Sequence, residues 1–151
     1  MVGGSTPAVH DGWMWDLTVP GNNDHNFYVA VAATAVLVHN CGDTWTSPGS
    51  LKDHFGAHGA EVGAQSEAEY EAGAAFISCD CDPSDPSILR RFDSATQTAT
   101  YFDTESEDLV VKSPKGIVTY FKPDRGLSYF NDPNVVSGDI VPTGTAIPWG
   151  N

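Results

Sequence analysis

Cationic side chains are scarce in this chain, and residues 1–40 contain none. Seven Lys and Arg stand against twenty Asp and Glu over 151 residues, a formal net charge of −13. That charge repels nucleic acid at long range, so any nucleic-acid chemistry must rest on a local basic patch. Cysteine is also sparse. Cys41, Cys79 and Cys81 form an odd-numbered set, too few for the disulfide framework of a small secreted scaffold. Long apolar runs are missing as well. No stretch approaches the ~20 residues a membrane span requires, so membrane insertion is not expected. Nor does a basic segment followed by an apolar one open the chain, as an intact secretory leader would. The 40% of apolar residues suffices for one modest core.

The cations that do occur are unevenly placed. Lys52 stands alone in an acidic stretch from Asp43 to Asp85. Arg90, Arg91, Lys112, Lys115, Lys122 and Arg125 all fall between 88 and 130, where they are balanced by acids. A basic surface can therefore form only from 88–130, with Lys52 brought in from outside.

Residues 1–40 read as short strands over 13–19, 26–31 and 35–38, with the turn cluster Pro20-Gly21-Asn22-Asn23-Asp24 between the first two. A β segment this small cannot bury enough surface to stand alone. Its pattern, Asp16-Leu17-Thr18-Val19, then Asn26-Phe27-Tyr28-Val29, then Val36-Leu37-Val38-His39-Asn40-Cys41, resembles the C-terminal end of Hint (hedgehog/intein-type) domains that precede toxin tips in bacterial polymorphic toxins. The resemblance implies a processing junction at Asn40–Cys41. The Asn40 amide would attack its own carbonyl, forming a succinimide and cutting the following bond, while His39 supplies the proton. The nucleophile-bearing half of such a domain is not in this sequence.

Beyond residue 41 the patterning changes twice. Helices are expected over 50–58 and 66–78, with Ser66 and Glu69 in capping-box positions. Residues 79–87 read as a loop broken by Pro83 and Pro86. Period-2 strands follow over 88–93, 98–103, 109–112 and 117–122, the last two joined by Ser113-Pro114-Lys115-Gly116. The expected fold class is α+β: an N-terminal β remnant over 1–40, then two helices packed on a four-stranded antiparallel sheet over 41–132. Residues 133–151, rich in Gly, Pro, Thr and Val, read as a tail or partial edge strand.

The positions Leu51, His54, Phe55, His58, Gly59, Gly63, Tyr70 and Ala74, followed by Arg91-Phe92-Asp93 and by Lys115-Gly116 with Thr119-Tyr120-Phe121-Lys122-Pro123, resemble toxin tips of the barnase–EndoU–colicin–RelE (BECR) group of ribonucleases. The resemblance covers about 51–130. It implies a secreted, metal-independent ribonuclease that acts on RNA of competing bacteria, tRNA among the candidates, needs no cofactor and is held by a cognate immunity protein. Such an enzyme needs a base for the ribose 2′-OH, an acid for the leaving 5′-oxygen and donors for the phosphorane charge. His54 is the expected general acid/base, with His58 one turn later. Arg91 is the expected phosphate donor and Thr119 a hydroxyl donor or positioner. Lys52 and Lys122 would contact phosphate, and Tyr120 and Tyr129 would stack on bases. Strand parity groups Thr119 with Ile117 and Phe121, opposite Tyr120 and Lys122.

Two rival readings remain open on the sequence. His54 and His58 lie four apart, on one helix face, and together with Cys79 and Cys81 have the composition of a tetrahedral zinc site. The ligand spacing is atypical: no Glu follows the first His, and C-x-C is tighter than the usual ligand pair. The other reading is a non-enzymatic acidic module that docks a partner on its helical face.

Overall fold

The computed structural model describes residues 26–31, 34–39 and 43–150. The chain divides into two units, 1–38 and 39–151. β1 (Asn26–Val31) and β2 (Thr34–His39) form a two-stranded sheet, which belongs to the first unit up to residue 38. The strand expected over 13–19, and the residues Asn40 and Cys41 of the expected junction, lie outside the described residues; His39 ends β2.

The second unit opens with two helices, α1 (Pro48–His58) and α2 (Glu67–Ser78). Local chemistry fixes where both begin. The Ser47 hydroxyl accepts from Ser50 N at 3.1 Å, and Pro48 occupies the first turn, where its missing N–H costs nothing. Ser66 Oγ accepts from Glu69 N at 3.2 Å. The Glu69 carboxylate returns to Gln65 N at 2.8 Å, one residue before the cap itself. Tyr70, Ala74 and Ile77 recur at helical spacing on the buried face of α2. Gly73 costs about 1 kcal/mol in helix propensity relative to Ala. It lies close under the Tyr120 ring, where a Cβ would meet the hydroxyl at 3.1 Å and require a shift of a few tenths of an ångström.

Strands β3 (Ile88–Asp93), β4 (Thr98–Asp103), β5 (Leu109–Ser113) and β6 (Gly116–Phe121) follow as an antiparallel meander. After a short helix α3 (Leu127–Phe130), β7 (Asp139–Val141) pairs antiparallel with β3, giving the order β6-β5-β4-β3-β7. The sheet thus has five strands where four are expected. The fifth comes from 133–151, which also sends Ile147 into the core and packs Trp149 against it.

The sheet is covered on both faces. Tyr101, Val110 and Tyr120 pack with Tyr70, Ala74 and Ile77 of α2. Phe102 and Leu109 pack on the other face with Phe130 of α3. A bulge in β6 corrects the expected parity. Val111 pairs with Thr119 but Lys112 pairs with Ile117, so Val118 is an extra residue. Ile117 therefore lies in the core with Tyr120 rather than on the face of Thr119 and Phe121. The bulge sits where residues 44–46 dock on the sheet: Ile117 N donates to Thr44 O and Thr46 N donates to Ile117 O. Gly116 (φ +124°) is required at this crossing, since a Cβ would lie 2.4 Å from Thr44 O.

Candidate active site

Helix α1 touches both α2 and the edge strand β6. Its Phe55 faces the ring of Tyr70, while His54 and His58 face β6. Two residues along a helix rotate a side chain by roughly 200° and four by roughly 40°. His58 therefore shares the face of His54, whereas the exposed Lys52 stands on the far side of α1. Lys52 therefore does not share the helix face of His54 and His58.

His54 Nδ1 lies 3.3 Å from Thr119 Oγ1, so the two residues expected to cooperate from sequence do meet. The half-buried imidazole rests on the Trp45 ring at 5.2 Å and is 6.0 Å from that of His58. Burial lowers its pKa, and the neighbouring His58 lowers it further against the opposing pull of Asp53. The ring is accordingly neutral at pH 7, the state a proton acceptor requires. His58 Nδ1 lies 3.3 Å from both carboxylate oxygens of Glu61, an ion pair when the ring is protonated. Its ring continues to Phe121 at 5.7 Å, which meets Tyr129 edge-on at 5.6 Å.

A surface groove starts at His58 and Glu61 and runs past Phe121, Lys122, Asp124 and Arg125 to Tyr129. Its charge is mixed. Lys122 is 44% exposed and Arg125 52% exposed, so both ammonium and guanidinium remain in reach of an incoming anion. Compared with known proteins, the chain matches no family model and no curated sequence. Its chemistry must be read from the groove itself.

Three expectations are corrected by these positions. Arg91 lies on β3, three strands from β6, and is only 8% exposed. Its guanidinium donates to Gly138 O at 3.1 Å, Val136 O at 3.4 Å and Asn131 O at 3.5 Å, and sits over the Phe130 ring. It ties the 131–138 segment to the sheet and does not meet His54. Tyr120 is 5% exposed; its hydroxyl donates to Asp108 Oδ2 at 3.0 Å, and its carbonyl accepts from the Tyr70 hydroxyl, so it offers no stacking face. Cys79 and Cys81 are joined to each other, beside Asp80 and Tyr101. Among the described residues, no three His, Cys, Asp or Glu side chains converge as metal ligands, so the four proposed zinc donors do not form one site.

Sequence reasoning missed Glu61, Phe121 and Arg125. Only Glu61 carries a local signal, its i+3 spacing from His58. The other two reach the groove through β6 and the loop after it.

Proposed function

We propose that the second unit is the ribonuclease tip of a secreted bacterial toxin, a metal-independent endoribonuclease with a BECR-like fold, and that His54 and His58 are its proton-transfer pair. The contact between His54 Nδ1 and Thr119 Oγ1, with a second imidazole one turn away, is the observation that carries this reading. When Nδ1–H donates to Thr119, Nε2 of His54 keeps its lone pair. That nitrogen takes the ribose 2′-OH proton as the 2′-oxygen attacks phosphorus. The P–O5′ bond breaks, and the leaving oxygen receives its proton from His58, whose imidazolium is paired with Glu61. The products are a 2′,3′-cyclic phosphate and a free 5′-hydroxyl. Lys122 would offset the charge on the phosphate oxygens.

The wider setting is part of the same proposal. The Hint-like first unit would release this tip at Asn40–Cys41 once delivered, RNA (tRNA among the candidates) of a competing bacterium would be the substrate, and an immunity protein would protect the producer. The purified chain should cleave bacterial RNA in excess EDTA and leave 2′,3′-cyclic ends. His54→Ala should slow cleavage roughly 10²–10⁴-fold without changing the circular dichroism spectrum. If the wild-type chain cleaves no cellular RNA, the enzyme reading fails and the acidic binding module replaces it.

A further inference from the structure

We propose that Arg125 is a stacking shelf for one unpaired nucleobase of the substrate, an inference that rests on the ribonuclease reading and specifies the strand it takes. Three features of Arg125 point to a flat platform rather than a phosphate clamp. Its guanidinium lies over the Tyr129 ring, 5.6 Å from the centroid, so one face is backed. Its Nη1 is held by Asp132 Oδ2 at 3.2 Å, which both fixes the plane and counters the charge. Asp132 is itself held, because Asn134 N and Nδ2 donate to its other oxygen at 3.0 and 3.2 Å. The side chain is still 52% exposed, which leaves room for a base against it.

Guanidinium planes and aromatic rings are the surfaces on which splayed-out RNA bases stack. Arg125 and His58 line the same groove, linked by Phe121 and Tyr129. Lys122 lines the same groove with a side chain 44% exposed, a cation available to the neighbouring phosphate. A base paired inside a duplex has both faces covered and cannot use such a shelf. The substrate is therefore single-stranded at the nucleotide next to the scissile bond, as in a loop or an unpaired end.

The test is binding of a single-stranded, fully 2′-O-methylated oligonucleotide, which lacks the attacking 2′-OH, to the full chain by fluorescence anisotropy. Arg125→Lys keeps the charge and the Asp132 partner but loses the plane. It should weaken binding about 5- to 150-fold, the range found for removing one base-stacking partner. Because a variant can misfold, the second arm alters only the ligand. Replacing bases one at a time by abasic sites should weaken wild-type binding at one position by a similar factor, and Arg125→Lys should bind that abasic strand no more weakly than the wild type does. A strand fully paired to its complement should bind more weakly than the free strand. Equal affinity of wild type and Arg125→Lys, with no abasic position sensitive, would overturn the shelf. Cleavage of unmodified RNA is scored separately: cleavage without a sensitive position defeats the shelf alone, while a sensitive position without cleavage defeats the ribonuclease reading alone.

Discussion

Thr119 and His54, 65 positions apart, meet at 3.3 Å because α1 runs along the edge strand β6 and aims one face at it. The burial that comes with this packing governs how the candidate base titrates. Burial and His58 hold the His54 pKa below its ordinary 6.5. A base works in its neutral form, so cleavage should persist as pH falls through 6.5 and drop only at the lower value. The acid limb of kcat/KM reports this group in the free enzyme. Thr119→Val, which removes the hydroxyl partner, should lower kcat while leaving the stability of the core unchanged. A limb centred above 6.5 would contradict the assignment of His54 as the base.

The same titration bears on stability. His54 binds its proton less readily folded than unfolded, so stability is present above pH 6.5 and is lost as pH falls toward the lowered value. His54→Gln should remove that part of the decline, read as a smaller difference in Tm between pH 7.5 and pH 5.5 than the wild type shows.

Arg91 supplies a contrasting case, a cation committed to structure. Arg91→Lys loses the fork that reaches three carbonyls of the 131–138 segment. Each buried carbonyl left without a donor costs about 1–3 kcal/mol. At roughly 2–8 °C per kcal/mol for a chain of this size, the drop in Tm should be plain in a thermal melt. Cleavage per folded molecule should stay at the wild-type value when measured well below that Tm. A fall in kcat at unchanged Tm would restore Arg91 to the phosphate site.

The elements legible in the sequence are those set by local chemistry. Ser66 and Glu69 announce the start of α2, and alternation from Ile88 onward announces the meander. The fifth strand is different: Asp139, Ile140 and Val141 are too few to show a period, and their pairing partner lies on β3. The bulge that moves Ile117 into the core arises where residues 44–46 dock on β6, a long-range event with no mark in residues 116–121 beyond Gly116. The role of Arg91 depends on backbone carbonyls 40, 45 and 47 positions away, which no residue-type pattern encodes. His54 and Thr119 could be paired in advance because a base and a hydroxyl suit the same chemistry. Arg125 could not, since its partners Tyr129 and Asp132 define its plane only once the chain after β6 has turned.

The expected processing junction carries its own test. In a protein with the complete Hint-like domain, Asn40→Ala removes the amide that would form the succinimide, and release of the tip should cease. His39→Ala should slow release instead of abolishing it, since water can supply the proton. Intact mass measured over time distinguishes the two, and unchanged release in Asn40→Ala would refute the junction.

The last prediction concerns Asp108, a buried carboxyl at the end of the Tyr70–Tyr120 chain. Its Oδ2 accepts from Tyr120, while its Oδ1 accepts no hydrogen bond and lies 3.9 Å from Lys122 Nζ. Burial raises its pKa, and the hydrogen bond from Tyr120, with the nearby Ser106 hydroxyl and Lys122, counters only part of that rise. A carboxyl with a raised folded pKa holds its proton where the unfolded chain has lost it. Its contribution to stability is therefore present below the ordinary carboxylate pKa and lost as pH rises through the folded value. Asp108→Asn keeps an acceptor for Tyr120 and carries no charge at any pH. Relative to wild type, its Tm should thus improve as pH rises from 4 to 7, whereas the lowered pKa values of Asp93 and Asp132, common to both proteins, cancel in the comparison. Tyr120→Phe acts in the opposite direction. It strips the donor from a buried carboxylate and should cost about 1–3 kcal/mol at neutral pH, an effect that Asp108→Asn in the same chain should reduce. Because the Tyr120 ring has no open face, the substitution should leave RNA affinity unchanged, and a loss of affinity in the folded variant would return Tyr120 to the binding surface.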